Sequence, residues 1–513
     1  MSYYHTLIKS GSVSPYTART TAFIAATGIS DTTIINALNT MDLSLISAGL
    51  DTKIKALYPF VGGTASTHKY NFMNAVDSDA AFRLAFNGGG THSSTGYLPN
   101  GTNAYANTFL TPSGNIGQND SHISYYSRTQ STTGAVDIRA SNSGNIHVLD
   151  IEIYFGGRYY TNNSGYASAT SQTTTTGLFT CNRISSTQYK GFRNTTIEQT
   201  NNITSTGLSN KNIYIGAGNS GDTAAWFSVR ECAFASIGTG MSDAEQTTFY
   251  TIVQTMQTSL SRQVGVPIVS DSNAQAFLDA AVITDITQAN AVNQLVIDLK
   301  AASIWTKMKA IYPFVGGTAS THKFNLVNPI DSDAAFRLSF NGGWVHSSTG
   351  AKPNGTNGYA DTFLNAFNYG QNDFSFGCYL RTIGAGGCYI GAYDGYRNHL
   401  LPVSLLYYAQ INSSGASTVS ILPAQTTKFH VVSRTTSTTA STYINGTLLF
   451  NDNITSNGKT NINLWIGSLS GLSGYSSSNE QAFSFIADGL SAANITNLTN
   501  AVEIFQTSLS RNV

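Results

Sequence analysis

The sequence predicts a mainly β protein built from two tandem copies of one antiparallel domain, each with a short N-terminal helix and a C-terminal helix. Three observations support this prediction. Residues 55–110 return as residues 309–364 with 13 of the 56 aligned positions different. Most of each copy alternates apolar and polar residues between clusters of Gly, Asn, Ser and Thr, which is typical of strands joined by turns. Both copies end in the letters QTSLSR.

The repeat sets the expected domain boundaries. Its period is far longer than the roughly 20 to 50 residues of a solenoid unit, so it indicates a duplicated domain. A chain of 513 residues is long enough for two separate cores. We predict an N-terminal arm at 1–22, a first module at 23–262, a linker at 263–276 and a second module at 277–513.

Each copy begins and ends with a predicted helix. Ser30 and Thr284 stand at the expected N-cap positions of the first helix of each copy. The apolar residues at helical spacing are Leu38, Met41 and Leu45 in the first copy and Val292, Leu295 and Leu299 in the second. Ser242 and Glu245 have the spacing of a capping box before the C-terminal helix of the first copy, and Ser491 begins the equivalent helix.

Strand-like runs fill the space between these helices. In the first copy they include AAFRLAF, SHISYYSR, HVLDIEIYF and GLFTCNRIS. Asn445–Gly446 predicts a two-residue hairpin turn in which both residues have positive φ. The first copy has Asn194–Thr195 there, so we expect a looser turn or another type. GQND, at 117–120 and 370–373, reads as a turn before a strand.

Charge and hydropathy exclude several classes of partner. Only 11% of the residues are charged, and 27 basic side chains balance 27 acidic ones. The chain therefore lacks the basic surface that binds nucleic acid or an anionic membrane. It also lacks the apolar core of a signal peptide and any run of about 18 apolar residues that could span a membrane. We expect no nucleic-acid partner and no membrane insertion.

The four cysteines do not form a recognisable framework. Cys181, Cys232, Cys378 and Cys388 occupy positions that do not correspond between the copies, and none belongs to a CxxC pair. We expect free thiols. A disulfide between Cys378 and Cys388 across a hairpin is the alternative.

Two repeated pairs of carboxylates are candidate metal ligands. Asp77 and Asp79 recur as Asp331 and Asp333 within a Ser-containing loop. Carboxylate oxygens of this kind bind Ca²⁺, although the same letters also fit a capped turn leading into a strand. Calcium is the only cofactor that the sequence suggests.

Two further sets of residues invite a chemical interpretation. His68 and its repeat His322 have no second ligand at metal-binding spacing, so a polar turn is favoured. Asp150 and Glu152 alternate along one predicted strand, as paired acids do in retaining glycan hydrolases. The aligned segment 401–409 has no acid, so an exposed strand face is the favoured interpretation, and no catalysis is expected.

Tyrosines in the segments that differ most between the copies are candidate sugar-binding residues. Segments 156–176 and 384–400 diverge on an otherwise repeated scaffold, and recognition residues often occupy such loops. Their aromatic rings could stack on sugar rings, with core packing as the alternative. The candidates are Tyr159, Tyr160, Tyr166, Tyr389, Tyr393 and Tyr396.

The order of the closing elements resembles a known family. STYINGTLL, NLWIGSLSG and FSFIADGLSAANITNL resemble the last strands and helix of concanavalin A-like, laminin-G-like domains. YPFVGGTASTHKFNL, together with the SLSR ending, is similar to lectin-like modules of tailed-bacteriophage structural proteins. This resemblance implies that each module is a two-sheet antiparallel jelly roll.

The resemblance also implies a function. It suggests a non-enzymatic virion protein, such as a capsid decoration, fibre or adhesin component, that is assembled in the host cytoplasm. Its expected partners are other virion proteins, copies of itself, with a trimer favoured, and host-surface glycans. The alternatives are a free glycan-binding lectin and a glucanase-type hydrolase.

Overall fold

The computed structural model describes residues 15–154, 156–164, 174–384, 386–403, 406–415, 420–421 and 427–513. The chain divides into two compact units, Met1–Gly265 and Val266–Val513, which we call the first and second modules. In the described residues the α-helices are α1 (Ala18–Thr27), α2 (Thr32–Ser47), α3 (Ala65–His68), α4 (Pro112–Asn115), α5 (Asp243–Ser259), α6 (Ser272–Ala281), α7 (Ile286–Ala301), α8 (Ala319–His322) and α9 (Ala492–Ser508).

Most of each module is β-structure. The strands of the first module are β1 (Ile54–Tyr58), β2 (Ala85–Asn87), β3 (Thr91–Ser93), β4 (Gly96–Leu98), β5 (Tyr105–Asn107), β6 (Ser121–Ser127), β7 (Ile138–Asn142), β8 (Ile146–Ile151), β9 (Tyr159–Asn163), β10 (Gly177–Arg183), β11 (Tyr189–Arg193), β12 (Thr196–Asn201), β13 (Tyr214–Ile215), β14 (Gly218–Ser220), β15 (Thr223–Ala225) and β16 (Cys232–Gly238). Those of the second module are β17 (Met308–Tyr312), β18 (Ser339–Asn341), β19 (Trp344–Ser347), β20 (Gly350–Pro353), β21 (Tyr359–Asn365), β22 (Phe374–Thr382), β23 (Ile390–Tyr393), β24 (Arg397–Val403), β25 (Leu406–Ser413), β26 (Ser420–Ile421), β27 (Lys428–Arg434), β28 (Ala440–Ile444), β29 (Thr447–Asp452), β30 (Asn463–Ile466), β31 (Leu469–Ser470) and β32 (Glu480–Ala487).

Each module contains two sheets. In the first module, one sheet has the order β12-β11-β10-β6-β16-β4-β3, with β1 also on β16. We call it the helix-side sheet. The other, the open sheet, has the order β15-β14-β7-β13-β5-β2, with β8 on β7 and β9 on β8. The second module repeats this plan, with the helix-side sheet β19-β20-β32-β22-β27-β28-β29 and the open sheet β18-β21-β30-β23-β24-β25-β26.

The first module is built in three layers. Ile123 of the helix-side sheet and Leu149 of the open sheet belong to the core between the two sheets. Leu178, on the opposite face of the helix-side sheet, packs with Leu38 of α2 and Phe249 of α5 in a separate core. The long helices α2 and α5 pack on the helix-side sheet, and no core cluster of the described residues places a helix on the outer face of the open sheet. The second module has the same two cores.

The predicted fold class is confirmed, but each module has two N-terminal helices where one was predicted. The additional helices are α1, capped by Thr17, and α6, capped by Asp271. The segments predicted as arm and linker therefore include the starts of these helices. Only Thr20 and Phe23 are buried on α1, so its apolar stripe is too short to produce a periodic signal.

The capping residues predicted from the sequence agree only partly with those in the structure. Asp31 and Asp285, rather than Ser30 and Thr284, accept hydrogen bonds from the first-turn amides of α2 and α7. Both predicted residues lie one position too early. The capping box at the start of α5 is confirmed, and Ser491 begins α9 as predicted.

The turn and thiol predictions can also be compared with the structure. Asn445 and Gly446 both have positive φ, 49° and 77°, as predicted. In the first module only Asn194 of the equivalent pair has positive φ, so that turn is of another type. Cys378 and Cys388 are buried free thiols, as are Cys181 and Cys232, so the expectation of free thiols is confirmed and the alternative disulfide is absent.

The repeated QTSLSR ending is explained by a buried arginine. Arg262 donates to the carbonyl oxygens of Pro59 (2.6 Å), Phe60 (2.8 Å) and Ala233 (3.0 Å). It also donates to Oε1 of Gln257 at 2.7 Å. The arginine thus attaches the end of the C-terminal helix to the segment after β1, where Phe60 has a φ of 45°.

Arg511 makes the same contacts in the second module. It donates to the carbonyl oxygens of Pro313 (3.2 Å), Phe314 (3.0 Å) and Ala482 (3.1 Å), and to Gln506 (2.9 Å). The repeated YPF and SLSR letters are therefore two halves of one structural clamp.

Candidate functional site

A row of polar side chains crosses the outer face of the first module's open sheet. The strand registers pair Tyr214 with Arg139, Arg139 with Asp150, and Asp150 with Tyr160. These positions alternate with Ile138, Leu149 and Ile151, which belong to the core between the sheets. Because successive side chains of a strand point to opposite faces, the row faces outward.

Arg139 and Asp150 form the centre of this row. Nη1 of Arg139 lies 2.9 Å from Oδ2 of Asp150, and both side chains are buried. Nη2 of Arg139 donates to Oδ1 of Asn145 at 2.6 Å and to Oγ of Ser141 at 3.2 Å. Arg139 is therefore held by three partners, while Oδ1 of Asp150 is buried without a partner among the described residues.

A second pair of charged groups lies directly after β8. Nη1 of Arg158 is 3.7 Å from Oε2 of Glu152, and the hydroxyl of Tyr154 donates to the same oxygen at 3.2 Å. The Arg158 side chain is 35% exposed, whereas that of Glu152 is 12% exposed. The guanidinium of Arg158 is thus held less tightly than that of Arg139.

Trp226 covers one side of the row. Its ring lies 5.0 Å from Cζ of Arg139, a cation–π contact, and 49% of the residue is exposed. A Cβ atom at Gly218 would lie 2.9 Å from the Trp226 ring, so the absence of a side chain there makes room for the indole. Trp226 also has a positive φ of 54°, an uncommon conformation for a bulky residue that is found more often at functional sites.

These groups enclose a cavity of about 470 Å³. Its wall combines three aromatic rings with two guanidinium groups and a carboxyl group, which is the composition expected of a small-molecule site. The residues that line it are Gly134, Ala135, Val136, Arg139, Gly144, Asn145, Val148, Glu152, Tyr154, Arg158, Tyr160 and Trp226.

Burial changes the acidity of the carboxyl groups around this cavity. It raises the pKa of Asp150 well above its usual value, and Arg139 offsets only part of the effect. Burial also raises the pKa of Glu152, against the opposing charge of Arg158. The charge of Glu152 raises the pKa of Asp150 further, so Asp150 binds a proton more readily than an exposed acid would.

Among its described residues, the second module has no equivalent of this polar cavity at the same place. By strand register, the counterparts of Arg139, Asp150, Glu152, Tyr160 and Gly218 are Gly391, His399, Leu401, Gln410 and Leu469. Leu401 and Leu469 pack with Cys388 in a small apolar cluster, against which Tyr393 and Tyr475 also lie. At these positions the second module therefore has two buried leucines, a buried histidine and a buried glutamine in place of the arginine and the two carboxyl groups of the first module.

The tyrosines predicted as sugar-binding residues in the first module lie in different environments. Tyr160 lines the cavity. Tyr159 points to the opposite face and is fully buried, and its hydroxyl donates to Glu198 at 2.9 Å. It cannot stack on a ligand, so that prediction is corrected. Tyr166 lies outside the described residues.

The tyrosines predicted in the second module are also separated. Segment 384–400 contains β23 and the start of β24 and is therefore not a single loop. Tyr389 is buried in the core between the sheets, which rules out stacking on a ligand. Tyr393 and Tyr396 are half-buried, with Tyr393 under Arg397 at 5.1 Å.

The predicted calcium ligands are engaged in ion pairs. Asp77 lies 2.5 Å from Nζ of Lys69, and Asp79 lies 2.8 Å from Nε of Arg83. Asp331 and Asp333 make the same contacts in the second module, with Lys323 and Arg337. A calcium ion would have to displace these cations, so the structure favours the turn alternative, although the serine before each turn makes no capping hydrogen bond. Within the described ranges, no three His, Cys, Asp or Glu side chains are grouped to hold a metal ion.

Each repeated histidine has a partner that the sequence spacing did not indicate. Nδ1 of His68 lies 2.9 Å from Nδ1 of His92, and Nδ1 of His322 lies 3.0 Å from Nδ1 of His346. Burial lowers the pKa of His68 and of His322 to about 3. The pairs are therefore uncharged internal hydrogen bonds, and the interpretation of His68 as part of a polar turn is corrected.

The interpretation of Asp150 and Glu152 as an exposed strand face is wrong. Asp150 is fully buried and paired with Arg139, and Glu152 lines the cavity. The registers place His399 and Leu401 at the positions of Asp150 and Glu152, so the second copy has no acid there, and its lack of acids gave no information about burial in the first copy. The alternation of two acids was the signal for the site. Nothing in the sequence indicated that Trp226 belongs with them.

Comparison with known proteins gives only distant matches. No family model matches the chain, and no curated protein matches it significantly. Domain 4 of a GH43 extracellular arabinanase from Geobacillus stearothermophilus, solved with arabinotriose, is 12% identical, and the match covers 38% of this chain and 98% of that one at a TM-score of 0.26. The binding domain of botulinum neurotoxin serotype D is 10% identical over 39% of this chain and 52% of that one, with a TM-score of 0.28.

A mutant Trypanosoma rangeli sialidase that displays trans-sialidase activity is 11% identical, over 70% of this chain and 48% of that one, with a TM-score of 0.31. The chain thus spans about half the length of the neurotoxin domain and of the sialidase. Similarity at this level carries no argument about function. Among the described residues, no helix is long and apolar enough to cross a membrane.

Proposed function

We propose that this chain is a non-enzymatic glycan-binding protein and that the cavity of the first module is its binding site. The observation that carries the proposal is the half-exposed ring of Trp226 beside Arg158, Glu152 and Tyr160 around one cavity. A sugar ring presents an apolar face and a rim of hydroxyl groups. An indole can cover the face, while guanidinium and carboxyl groups bind the rim.

The charged groups of the cavity suit binding better than catalysis. Asp150 is enclosed and bound by Arg139, so its carboxylate cannot approach an anomeric carbon. Among the described residues, Glu152 is the only carboxyl group that lines the cavity. Hydrolysis by the usual route needs two carboxyl groups that both reach the substrate.

Trp226→Ala is expected to weaken glycan binding by about thirtyfold, or ~2 kcal/mol, because a central aromatic contact contributes energy of this size. Binding to a printed array of neutral, N-acetylated and acidic glycans, followed by calorimetry on each hit, measures the effect. Trp305→Ala is the matched control. Trp305 is also half-buried and lies 5.6 Å from a cation, Lys300, but it belongs to the second module.

Three results would contradict the proposal. The first is an array without a bound glycan. The second is equal weakening by Trp226→Ala and Trp305→Ala, and the third is release of a cleaved sugar from any bound glycan. Hydrogen exchange of the variants confirms that both modules stay folded.

We further propose that the chain is displayed on a phage particle as a decoration, fibre or adhesin component. What supports this is the resemblance of the repeated YPFVGG and SLSR segments to phage modules, together with the many weak contacts that a repeated surface protein can make at once. The predicted homotrimer stays a prediction, which the mass of the purified assembly checks.

Deleting residues 1–14 tests the virion role without cutting α1, which begins at Ala18. Both modules should fold, and the truncated chain should no longer be incorporated into particles. Normal incorporation would contradict a docking role for this segment. An untruncated chain that is absent from purified particles would contradict the virion role itself.

A further inference from the structure

Beside the cavity, the same face of the open sheet carries a second aromatic surface. The rings of Tyr105 and Tyr214 are stacked, with centroids 4.5 Å apart and planes at 27°. Phe227 lies 6.4 Å from Tyr105 and directly follows Trp226 in the chain. We call these three residues the aromatic platform.

The platform is continuous with the cavity. Tyr214 on β13 is the direct cross-strand neighbour of Arg139 on β7. Trp226 and Phe227 reach the cavity and the platform from one short segment. From β5 to β9 the face spans four strand spacings, which is about 19 Å.

Two features indicate that the platform is an accessible surface whose position does not depend on the cavity. Tyr105 and Phe227 are half-buried, so part of each ring is open to solvent. The second module keeps the stacked pair as Tyr359 and Trp465, with centroids 3.8 Å apart, although Leu401 and Leu469 stand there at the positions of Glu152 and Gly218. The pair therefore does not depend on the cavity for its position.

Resting on the proposed glycan-binding function, we infer that the first module binds an extended oligosaccharide that crosses the strands. One sugar occupies the cavity beside Trp226, and a neighbouring sugar of the same chain stacks on Tyr105. A single sugar would use only the cavity. Affinity should therefore increase with chain length, and Tyr105 should supply that increase.

The test measures affinity for chito-oligosaccharides, cello-oligosaccharides and oligogalacturonides of one to six sugars. For the series that binds, the hexasaccharide should bind the wild-type chain about tenfold more tightly than the monosaccharide. Tyr105→Ala should remove that gain and leave monosaccharide affinity unchanged. Tyr105→Phe should keep it, because only the ring face is required.

Tyr359→Ala is the control, since it makes the same change where there is no polar cavity, and it should leave the length dependence intact. Affinity that is independent of length, a Tyr105→Ala variant with an unchanged gain, or failure of all three series to bind contradicts the inference. A failure of the proposed glycan binding is distinguishable from a failure of this inference. If glycan binding itself is wrong, Trp226→Ala also has no effect at any chain length.

Discussion

Arg262→Ala is expected to destabilise the first module by about 3–5 kcal/mol, because it removes a donor from three buried backbone carbonyl groups and leaves that of Ala233 with only a longer bond from Gln257, at 3.4 Å. The carbonyl oxygens belong to Pro59, Phe60 and Ala233, and the arginine is fully buried among them. Burial lowers the pKa of Arg262 to about 9, which reflects how little water reaches the group. A loss of this size is a large part of the ~5–15 kcal/mol that stabilises a typical domain.

Hydrogen exchange on the full chain, read peptide by peptide, measures this effect in each module separately. Arg262→Ala should lower the opening free energy of the first module and leave the second unchanged, and Arg511→Ala should do the reverse. Arg83→Ala is the control, because its ion pair with Asp79 is exposed and should contribute less than about 1 kcal/mol. Equal losses in Arg262→Ala and Arg83→Ala would contradict the clamp.

Lowering the pH from 7.5 to 5.0 is expected to destabilise the second module by about 4 kcal/mol. Burial lowers the pKa of His322 and of His399 to about 3, whereas both should titrate near 6.5 in the unfolded chain. The unfolded state therefore binds protons first as the pH falls. The stabilisation is complete above pH 6.5 and is lost progressively toward pH 3, at about 2 kcal/mol for each histidine by pH 5.

The first module should lose less. Burial lowers the pKa of His68 to about 3 and that of His122 to about 4, which destabilises the fold in acid in the same way. Burial also raises the pKa of Asp137, Asp150 and Glu152. These acids take up protons in the folded state before they do so in the unfolded state, so they offset part of the loss.

Urea unfolding at both pH values, followed by hydrogen exchange for each module, measures the difference. His399→Leu removes one titrating group from the second module and should reduce its acid loss by about half. No change in His399→Leu would show that the buried histidines do not control acid stability, and an equal loss in both modules would show that the buried acids of the first module do not offset it.

The parts of the fold that could be predicted from the sequence are those determined by local sequence patterns. The capping box at Ser242, the turn at Asn445–Gly446 and the alternating runs are each determined by a few consecutive residues. The helix α1 was missed because it buries only two residues. Two buried residues give a weaker helical pattern than the turn-forming residues around them give for a loop.

The site depends on contacts that are distant in sequence. Arg139 meets Asp150 across a hairpin, and Trp226 reaches Arg139 from a segment more than 70 residues away. Which residues meet is set by strand register, and a shift of one residue would turn each side chain to the other face. The alternation of Asp150 and Glu152 was visible, but the alternation alone does not show that Arg139 buries one of these acids.

The central claim is that only the first module has an open glycan site. Leu469 of the second module stands at the position of Gly218, and this difference offers the most direct test of the claim. Gly218→Leu introduces the second module's residue where a side chain would displace the Trp226 ring. Calorimetric titration of the full chain with a glycan identified on the array should give one site per chain in the wild type and none in Gly218→Leu. Two sites per chain, or one site that survives Gly218→Leu, would contradict this account.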